Sequence, residues 1–458
     1  MSLLDSSDPR PVHFVGIAGA GMRALAELLA RRGAAVTGCD ASPIDVDDLR
    51  QLGIPVWPGH DPAHAEGARA LVITSAMRRD HPELERARAL GIPVIRRAEA
   101  LGEAVAGAEL VAVAGTHGKS TTTVMIAEAL AAAGLDPSAL VGARVHAWNG
   151  NFRAGASSHY VVEADEYDRS FLALAPTVAV ITNIEADHLD IYRDLADIRD
   201  AFAQFARGAR SIVLSADDER ANTLPMPSSA EVVRFGVNSS DARLTATDIR
   251  YADGGSRFHV RFDGARVGAI RLRVPGLHNV RNALAALGAG LAEGHTVAEM
   301  APGLEAFAGV ERRFQRVGNA AGVAVVDDYA HHPTEISATI AAARDAFPER
   351  RLVVAFQPHL YSRTRDFAPA FAAALAESDA IFLADIYPAR EQPIPGVTSG
   401  LIADALGAEA GRLRWRGPRA ELAAALAAFV RAGDVVITMG AGDVTTVAPE
   451  LLRLLEVR

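Results

Sequence analysis

The feature that most limits what this chain can fold into is a pattern repeated along its length. Short apolar, β-branched runs end in a few polar or glycine residues, and helical sequence follows. The runs are "VHFVGIAGAG" from 12, "LVITSAM" from 71, "LVAVAGTHGKS" from 110, "YVVEADEYD" from 160 and "VAVITNIEADH" from 178. They continue with "VAVVDDYAHH" from 323, "LVVAFQPH" from 352, "AIFLADIY" from 380 and "VVITMGAGD" from 435. Near-continuous apolar strands bounded in this way suit parallel sheets covered on both faces. In such sheets ligands bind outside the carboxyl ends of the strands. The polar clusters fall at those ends, so they are site candidates as a set.

One segment reads differently. Residues 256–275 alternate polar and apolar about Asp263-Gly264, a dipeptide of tight hairpin turns, and read as antiparallel strands decorating a middle domain. Boundaries fall near 106–109, after the polar helix "RRAEALGEAV", and near 311–316, where "ERRFQR" precedes a fresh strand. At roughly 150 residues per domain, 458 residues make three α/β domains, 1–107, 108–314 and 315–458.

Composition narrows the function classes. The chain carries 46 basic against 56 acidic side chains, a net charge of −10, which argues against non-specific binding to nucleic acid or an anionic membrane. No apolar run is long enough to span a bilayer. The start, "MSLLDSSDPR", lacks the basic-then-apolar order of an export signal, so the expected location is cytoplasmic. Cys39 is the only cysteine. It excludes an intramolecular disulfide and a zinc cluster built on several thiolates, and its sequence neighbours give it no special context.

Of the basic side chains only Lys119 is a lysine. It lies in Gly115-Thr116-His117-Gly118-Lys119-Ser120-Thr121, between a strand at 110–114 and a helix closed by Gly134. Glycines let backbone amides crowd around a phosphate, and a helix N-terminus adds a favourable dipole. A compact ammonium reaches β- and γ-phosphate oxygens where a planar guanidinium does not, and Ser120 can ligate Mg²⁺. Val113 stands where the longer pattern GxxxxGK[ST] wants glycine, so an incidental glycine-rich turn is the alternative.

Other clusters are read against plainer alternatives. "GIAGAG" offers Gly16, Gly19 and Gly21 after a strand, with Asp40 ending the next; it is a diphosphate loop or simply a tight strand–helix turn. Glu163, Asp165, Glu166 and Asp168 form one carboxylate cluster, and Glu185, Asp187 and His188 another. These are Mg²⁺ ligands or solvated loop charge. "DDYAHHPTE" at 327–335 packs two aspartates and two histidines after a strand; His331-His332 is not a zinc signature, and core or capping histidines are the plainer reading. "FQPHLYSRTRDF" supplies His359, Arg363 and Arg365 near another strand end, arginines that clamp a carboxylate or phosphate or are surface charge. Asn279 and Asn282 are helix caps or hydrogen-bonders to an adenine edge. No nucleophilic triad emerges.

Together "GTHGKSTTT", "EADEYDRSFL", "TNIEADHLDIY", "HNVRNALAA", "GVERRFQ", "DDYAHHPTE" and "FQPHLYSRT" occur in the order and spacing of the Mur ligase family. The chain resembles that family from about His13 to its last helix, and within it the branch that adds alanine. The resemblance implies an N-terminal Rossmann-like domain for a UDP-sugar, a central P-loop domain for ATP and a C-terminal Rossmann-like domain for the amino acid. It implies ATP-driven joining of L-alanine to UDP-N-acetylmuramate through an acyl phosphate, with Mg²⁺, by a monomer or homodimer.

By motif, Lys119 resembles the phosphate-binding lysine, with Ser120 on one Mg²⁺ and Glu163 and His188 on a second. Gly115, Thr116, His117, Gly118 and Thr121 complete the ATP loop. Asn279 and Asn282 look like adenine-side contacts, Arg313 a phosphate-side arginine and Asp328 the ribose contact. His331, His359 and Arg363 resemble the amino-acid and acyl-phosphate side. Gly16, Ala18, Gly19, Ala20, Gly21, Asp40 and Ser75 resemble the UDP-sugar side. Ala18 stands where the family often has glycine and Leu360 where many members have arginine, which leaves Arg363 with more of the task. Sister ligases with a carbamylated lysine need a second lysine, and this chain has none. The alternatives are a tripeptide-recycling ligase of the same fold and, from other classes, a nucleotide-binding regulator or an NAD-dependent oxidoreductase.

Overall fold

The computed structural model describes residues 3–5, 7–42, 46–74, 77–189, 191–389 and 391–457. Three sheets organise the described residues. The first has five parallel strands in the order Val56–Pro58, Val36–Asp40, Val12–Val15, Ala70–Ile73, Val94–Arg96. The chain winds outward one way from the central strand and then the other. A crevice therefore opens at the carboxyl ends of Val12–Val15 and Ala70–Ile73, where the direction reverses.

The second sheet has ten strands. Its parallel centre runs Glu231–Gly236, Ser211–Ser215, Val178–Ile181, Glu109–Ala114, His159–Glu163, Ser138–Val145. The strand Gly150–Arg153 closes one edge antiparallel, and Leu244–Ala252, Gly255–Phe262 and Ala265–Leu272 extend the other. The last two are joined at Asp263 and Gly264, whose φ values of 48° and 79° are those of the expected tight turn. Parallel strands covered on both faces must be apolar throughout, and Val111, Val113, Val180, Ile181 and Val213 are fully buried. Each such side chain contributes about 1.5–3 kcal/mol relative to exposure. The helix Lys119–Ala132 is equally enclosed, with Ser120 to Ala127 all buried.

The third sheet runs Gln315–Ala320, Val323–Asp328, Val435–Met439, Leu352–Phe356, Ala380–Ala384, Leu413–Gly417, parallel except for its first strand. The three-sheet α/β architecture is the one the sequence pattern implies. Two compact units result: residues 1–248, 258–270 and 281–307 form one, and 249–257, 271–280 and 308–458 the other. The first holds the five-stranded sheet and the parallel centre of the ten-stranded one. The second holds the six-stranded sheet. The cut expected near 107 falls between the helix Arg97–Ala104 and the strand Glu109–Ala114, inside the first unit.

Candidate active site

Register brings three strand ends together. Val113 pairs with Glu163, and Ala114 with Ile181, so the loop after Ala114, the carboxylate of Glu163 and the Thr182-Asn183 turn emerge side by side. The loop is then locked by its neighbours. The His117 amide donates to Asn183 Oδ1 at 2.8 Å, and the Thr182 hydroxyl donates to the His117 carbonyl at 2.6 Å. The Thr116 hydroxyl accepts the Glu185 amide at 2.8 Å. Gly115 has φ 140°, and a Cβ there would lie 1.9 Å from Thr182 Oγ1, so only glycine fits. Asn282 reaches the same loop, with its Oδ1 2.6 Å from where a Gly118 Cβ would stand.

Lys119 opens the helix and folds back over the loop. Its Nζ donates to the Gly115 carbonyl at 2.7 Å and lies 2.8–3.0 Å from both oxygens of Glu166. Burial would pull the ammonium down, but Glu166, Asp165 and Glu163 override it and hold Lys119 protonated, above the ordinary lysine range. Burial pushes the Glu166 carboxyl up, and the ammonium against it opposes that shift. The Ser120 hydroxyl is 3.0 Å from each Glu163 oxygen, and the Gly142 amide donates to Glu163 at 2.6 Å. His188 has φ 54°, an uncommon conformation for a non-glycine residue. Its Nε2 lies 3.8 Å from Asp187 and 4.0 Å from Glu166, and its ring meets Tyr167 edge-on. Thr121 is buried in the first helical turn. This is a pocket of hard oxygen donors and one fixed cation, suited to a phosphate chain with a divalent ion.

The five-stranded sheet contributes the other wall. Gly16, with φ 81°, and Ile17 both donate to the Cys39 carbonyl, at 2.8 and 3.0 Å. Asp40 accepts the Ala18 amide at 3.0 Å and the Ser42 amide at 3.0 Å, so its carboxylate ties the loop to the next strand. Gly19 precedes the helix Ala20–Arg31. A cavity of about 250 Å³ joins the two walls, lined by Gly19, Ala20 and Gly21 on one side and Gly142, Glu163 and Asp165 on the other. Arg97 enters it too, 2.8 Å from a Cβ placed on Gly21 and 3.9 Å from Asp165. The sequence offered no signal for Arg97, which begins a helix read only as a domain boundary. Ser75 lies outside the described residues; Thr74 beside it lines the cavity.

The second unit assembles its own group. Asp328 is buried at a strand end, and its two oxygens accept the amides of Phe314 and Ala330 at 2.7 and 2.8 Å. Burial pushes its carboxyl up to about 6, against Arg313 and those two amides. Arg313 lies 3.5 Å from Glu335 and over the Tyr329 ring. His331 Nδ1 is 3.1 Å from Glu335, its ring edge-on to His359, which stacks on Tyr387. Arg363 is buried on the helix Tyr361–Leu375. Asn279 donates to the Pro275 carbonyl at 2.7 Å. Leu360, just before that helix, has φ 69°, a strained value for leucine.

Family models match along the chain: the Mur ligase family catalytic domain over residues 11–109, the Mur ligase middle domain over 113–290 and the Mur ligase glutamate ligase domain over 312–442. The UDP-N-acetylmuramate–L-alanine ligase of Kineococcus radiotolerans is 47% identical over 98% of this chain and 96% of its own. That of Cutibacterium acnes is 43% identical over 100% and 98%. Among solved structures, the UDP-N-acetylmuramate–alanine ligase of Thermotoga maritima superposes with a TM-score of 0.83 at 30% identity, covering 97% of this chain and 98% of that one. A murein peptide ligase from Psychrobacter arcticus gives 0.71 at 27% identity, covering 97% and 98%.

Proposed function

The chain belongs to the Mur ligase family, and on that premise we propose that it converts ATP, UDP-N-acetylmuramate and L-alanine to ADP, phosphate and UDP-N-acetylmuramoyl-L-alanine. It is an ATP-dependent ligase of peptidoglycan precursor synthesis. The observation that carries the reading is the shared cavity. A diphosphate-type glycine loop faces the carboxylate that touches the phosphate-loop serine. A sugar nucleotide held at Gly19–Gly21 would extend its lactyl carboxylate toward the terminal phosphate of a nucleotide at Lys119.

Two chemical steps follow. The lactyl carboxylate attacks the γ-phosphorus and displaces ADP, giving an acyl phosphate; the alanine amine then attacks the acyl carbon, and phosphate leaves. Lys119 neutralises the terminal phosphate oxygens as charge shifts onto the leaving ADP, exchanging its contact with Glu166 for one with phosphate. The amides of the 115–120 loop orient the phosphates, and Arg97 offers its guanidinium to the sugar-nucleotide diphosphate. Ser120, Glu163 and His188 have the donor set for Mg²⁺, since the first two already share a hydrogen bond that a cation would replace with oxygen coordination. When bound, Mg²⁺ neutralises phosphate charge. By the family motif, His331, His359 and Arg363 would serve the amino-acid side, with Arg363 taking the alanine carboxylate, and Arg313, Asp328, Asn279 and Asn282 would serve the nucleotide.

The alanine-adding assignment is preferred over tripeptide recycling because the near-full-length relatives at 43–47% identity carry the alanine ligase name. Phosphate release with ATP and UDP-N-acetylmuramate decides between them. Turnover is expected with L-alanine; turnover with the tripeptide and none with L-alanine would overturn the assignment.

A further inference from the structure

None of the chemistry above uses a second group of side chains in the first unit. His13 lies on the strand Val12–Val15, Cys39 on Val36–Asp40, His64 in the turn Pro62–Ala65 and Glu83 in the first turn of the helix Pro82–Ala89. The fold brings one donor atom from each within 4.8 Å of the others. Cys39 Sγ lies 3.1 and 3.2 Å from the two Glu83 oxygens, His64 Nδ1 lies 3.1 Å from Glu83 Oε1, and His13 Nε2 lies 3.6 Å from Glu83 Oε2. From these residues and distances we infer a binding site for a borderline divalent metal ion, Zn²⁺ foremost, with His13, Cys39, His64 and Glu83 as its ligands.

The second observation concerns His13. Its side chain is fully buried, and its Nε2 points into the cluster, facing Glu83 Oε2 at 3.6 Å with no partner at hydrogen-bond distance among the described residues. A buried ring nitrogen left this way is costly unless a ligand takes it up. The other ring nitrogen is engaged: Nδ1 lies 3.0 Å from the Thr37 hydroxyl. With a metal ion bound at Nε2, Nδ1 would carry the proton and donate it to that hydroxyl, the arrangement of metal-bound histidines.

The donor types agree with the inference. Two imidazoles, a thiolate and a carboxylate form a mixed N, S and O set that suits tetrahedral Zn²⁺ and does not suit Mg²⁺ or Ca²⁺. Bond lengths of about 2.0–2.3 Å place tetrahedral ligand atoms roughly 3.3–3.8 Å apart; the Glu83 oxygens stand 3.1–3.6 Å from the other three donors, and all four donors lie within 4.8 Å of one another. Charge balances as well. Coordination breaks the Cys39 S–H bond and sends the proton to solvent. One thiolate and one carboxylate then neutralise the two positive charges of the ion in a buried setting. Entry is available beside His64 and His60, whose side chains are 16% and 27% exposed. His60 Nδ1, 3.3 Å from Cys39 Sγ, stands at that mouth. The ion would tie two adjacent strands to two segments of the crossover connections, a staple across the domain that carries the Gly16–Gly21 loop.

The single thiol makes the test specific. The metal-free full-length chain is titrated with Co²⁺, which shares the ligand preferences of Zn²⁺, and thiolate-to-cobalt charge-transfer absorption is followed in the near ultraviolet. Because Cys39 is the only cysteine, such a band reports this site and no other. The band should saturate at one cobalt per chain and bleach on addition of one equivalent of Zn²⁺. It should be absent from Cys39→Ser, and in His64→Gln cobalt binding should weaken at least about tenfold. His64→Gln changes a partly exposed side chain, so it serves even if Cys39→Ser does not fold. The absence of any band from the folded wild-type chain at millimolar cobalt and neutral pH would overturn the inference. So would a band of unchanged affinity in His64→Gln.

Discussion

At the scale of single residues, charge type matters as much as charge sign. Lys119 is threaded between a loop carbonyl at 2.7 Å and the Glu166 carboxylate. A guanidinium is too broad and planar to take that position and still reach a phosphate. Both Lys119→Ala and Lys119→Arg should therefore lower phosphate release at saturating substrates by about 10²–10³-fold, as loss of one fixed transition-state donor does. Activity of Lys119→Arg near the wild-type level would remove the ammonium from the mechanism.

Asp328 gives a second prediction at this scale, with a defined sign. Burial raises its folded pKa to about 6, above the ordinary aspartate value of 3.8. Between those values the folded chain binds more protons than the unfolded one, so this group's contribution to stability is fully present at pH 3.8 and below. It is lost as pH rises through 6, by up to about 3 kcal/mol above that value. Urea unfolding of Asp328→Asn against wild type, at pH 4 and pH 7, should show the variant gaining relative stability at the higher pH. A difference that does not change with pH contradicts the shift.

At the scale of elements, the 115–120 loop is held by the neighbouring strand as much as by its own sequence. Gly115 and Thr182 come from different strands, and their contact leaves no room for a methyl group. Gly115→Ala should destabilise the chain by about 2–4 kcal/mol, since it adds both a clash and an unfavourable φ. Adding Thr182→Ala should return part of that loss but not all, because the backbone conformation still disfavours alanine. A double-mutant cycle by denaturant unfolding measures the coupling, and additive effects would mean that the two sites do not press on each other. The spacing of glycines and lysine made the loop legible in the sequence. Its anchors at Thr182 and Asn183 were quoted only as part of a longer run, because nothing local says that two strands 68 residues apart are neighbours.

At the scale of the whole molecule, ligand binding should be visible as stability. A non-hydrolysable ATP analogue with Mg²⁺ at 100 times its Kd stabilises whatever binds it by about 2.7 kcal/mol. Scanning calorimetry should show that shift in the wild-type chain and none in Lys119→Ala at the same concentration. An equal shift in both would place the nucleotide away from the loop.

The sequence by itself determined the three-part α/β class, the glycine–lysine loop at 115–119 and the polar clusters at strand ends that are the site candidates. It could do so because those follow from local periodicity and from short motifs whose spacing is their chemistry. Tertiary structure alone decided which candidates share a cavity. Arg97 reached the cavity because the helix it starts packs against Ala20–Arg31, the helix that follows the glycine loop, and Lys119 met Glu166 because strand register aligned their loops. Cys39 shows the limit most clearly. Its partners at positions 13, 64 and 83 are separated along the chain and converge only when parallel strands and crossovers close, an effect of long-range packing that no local pattern encodes.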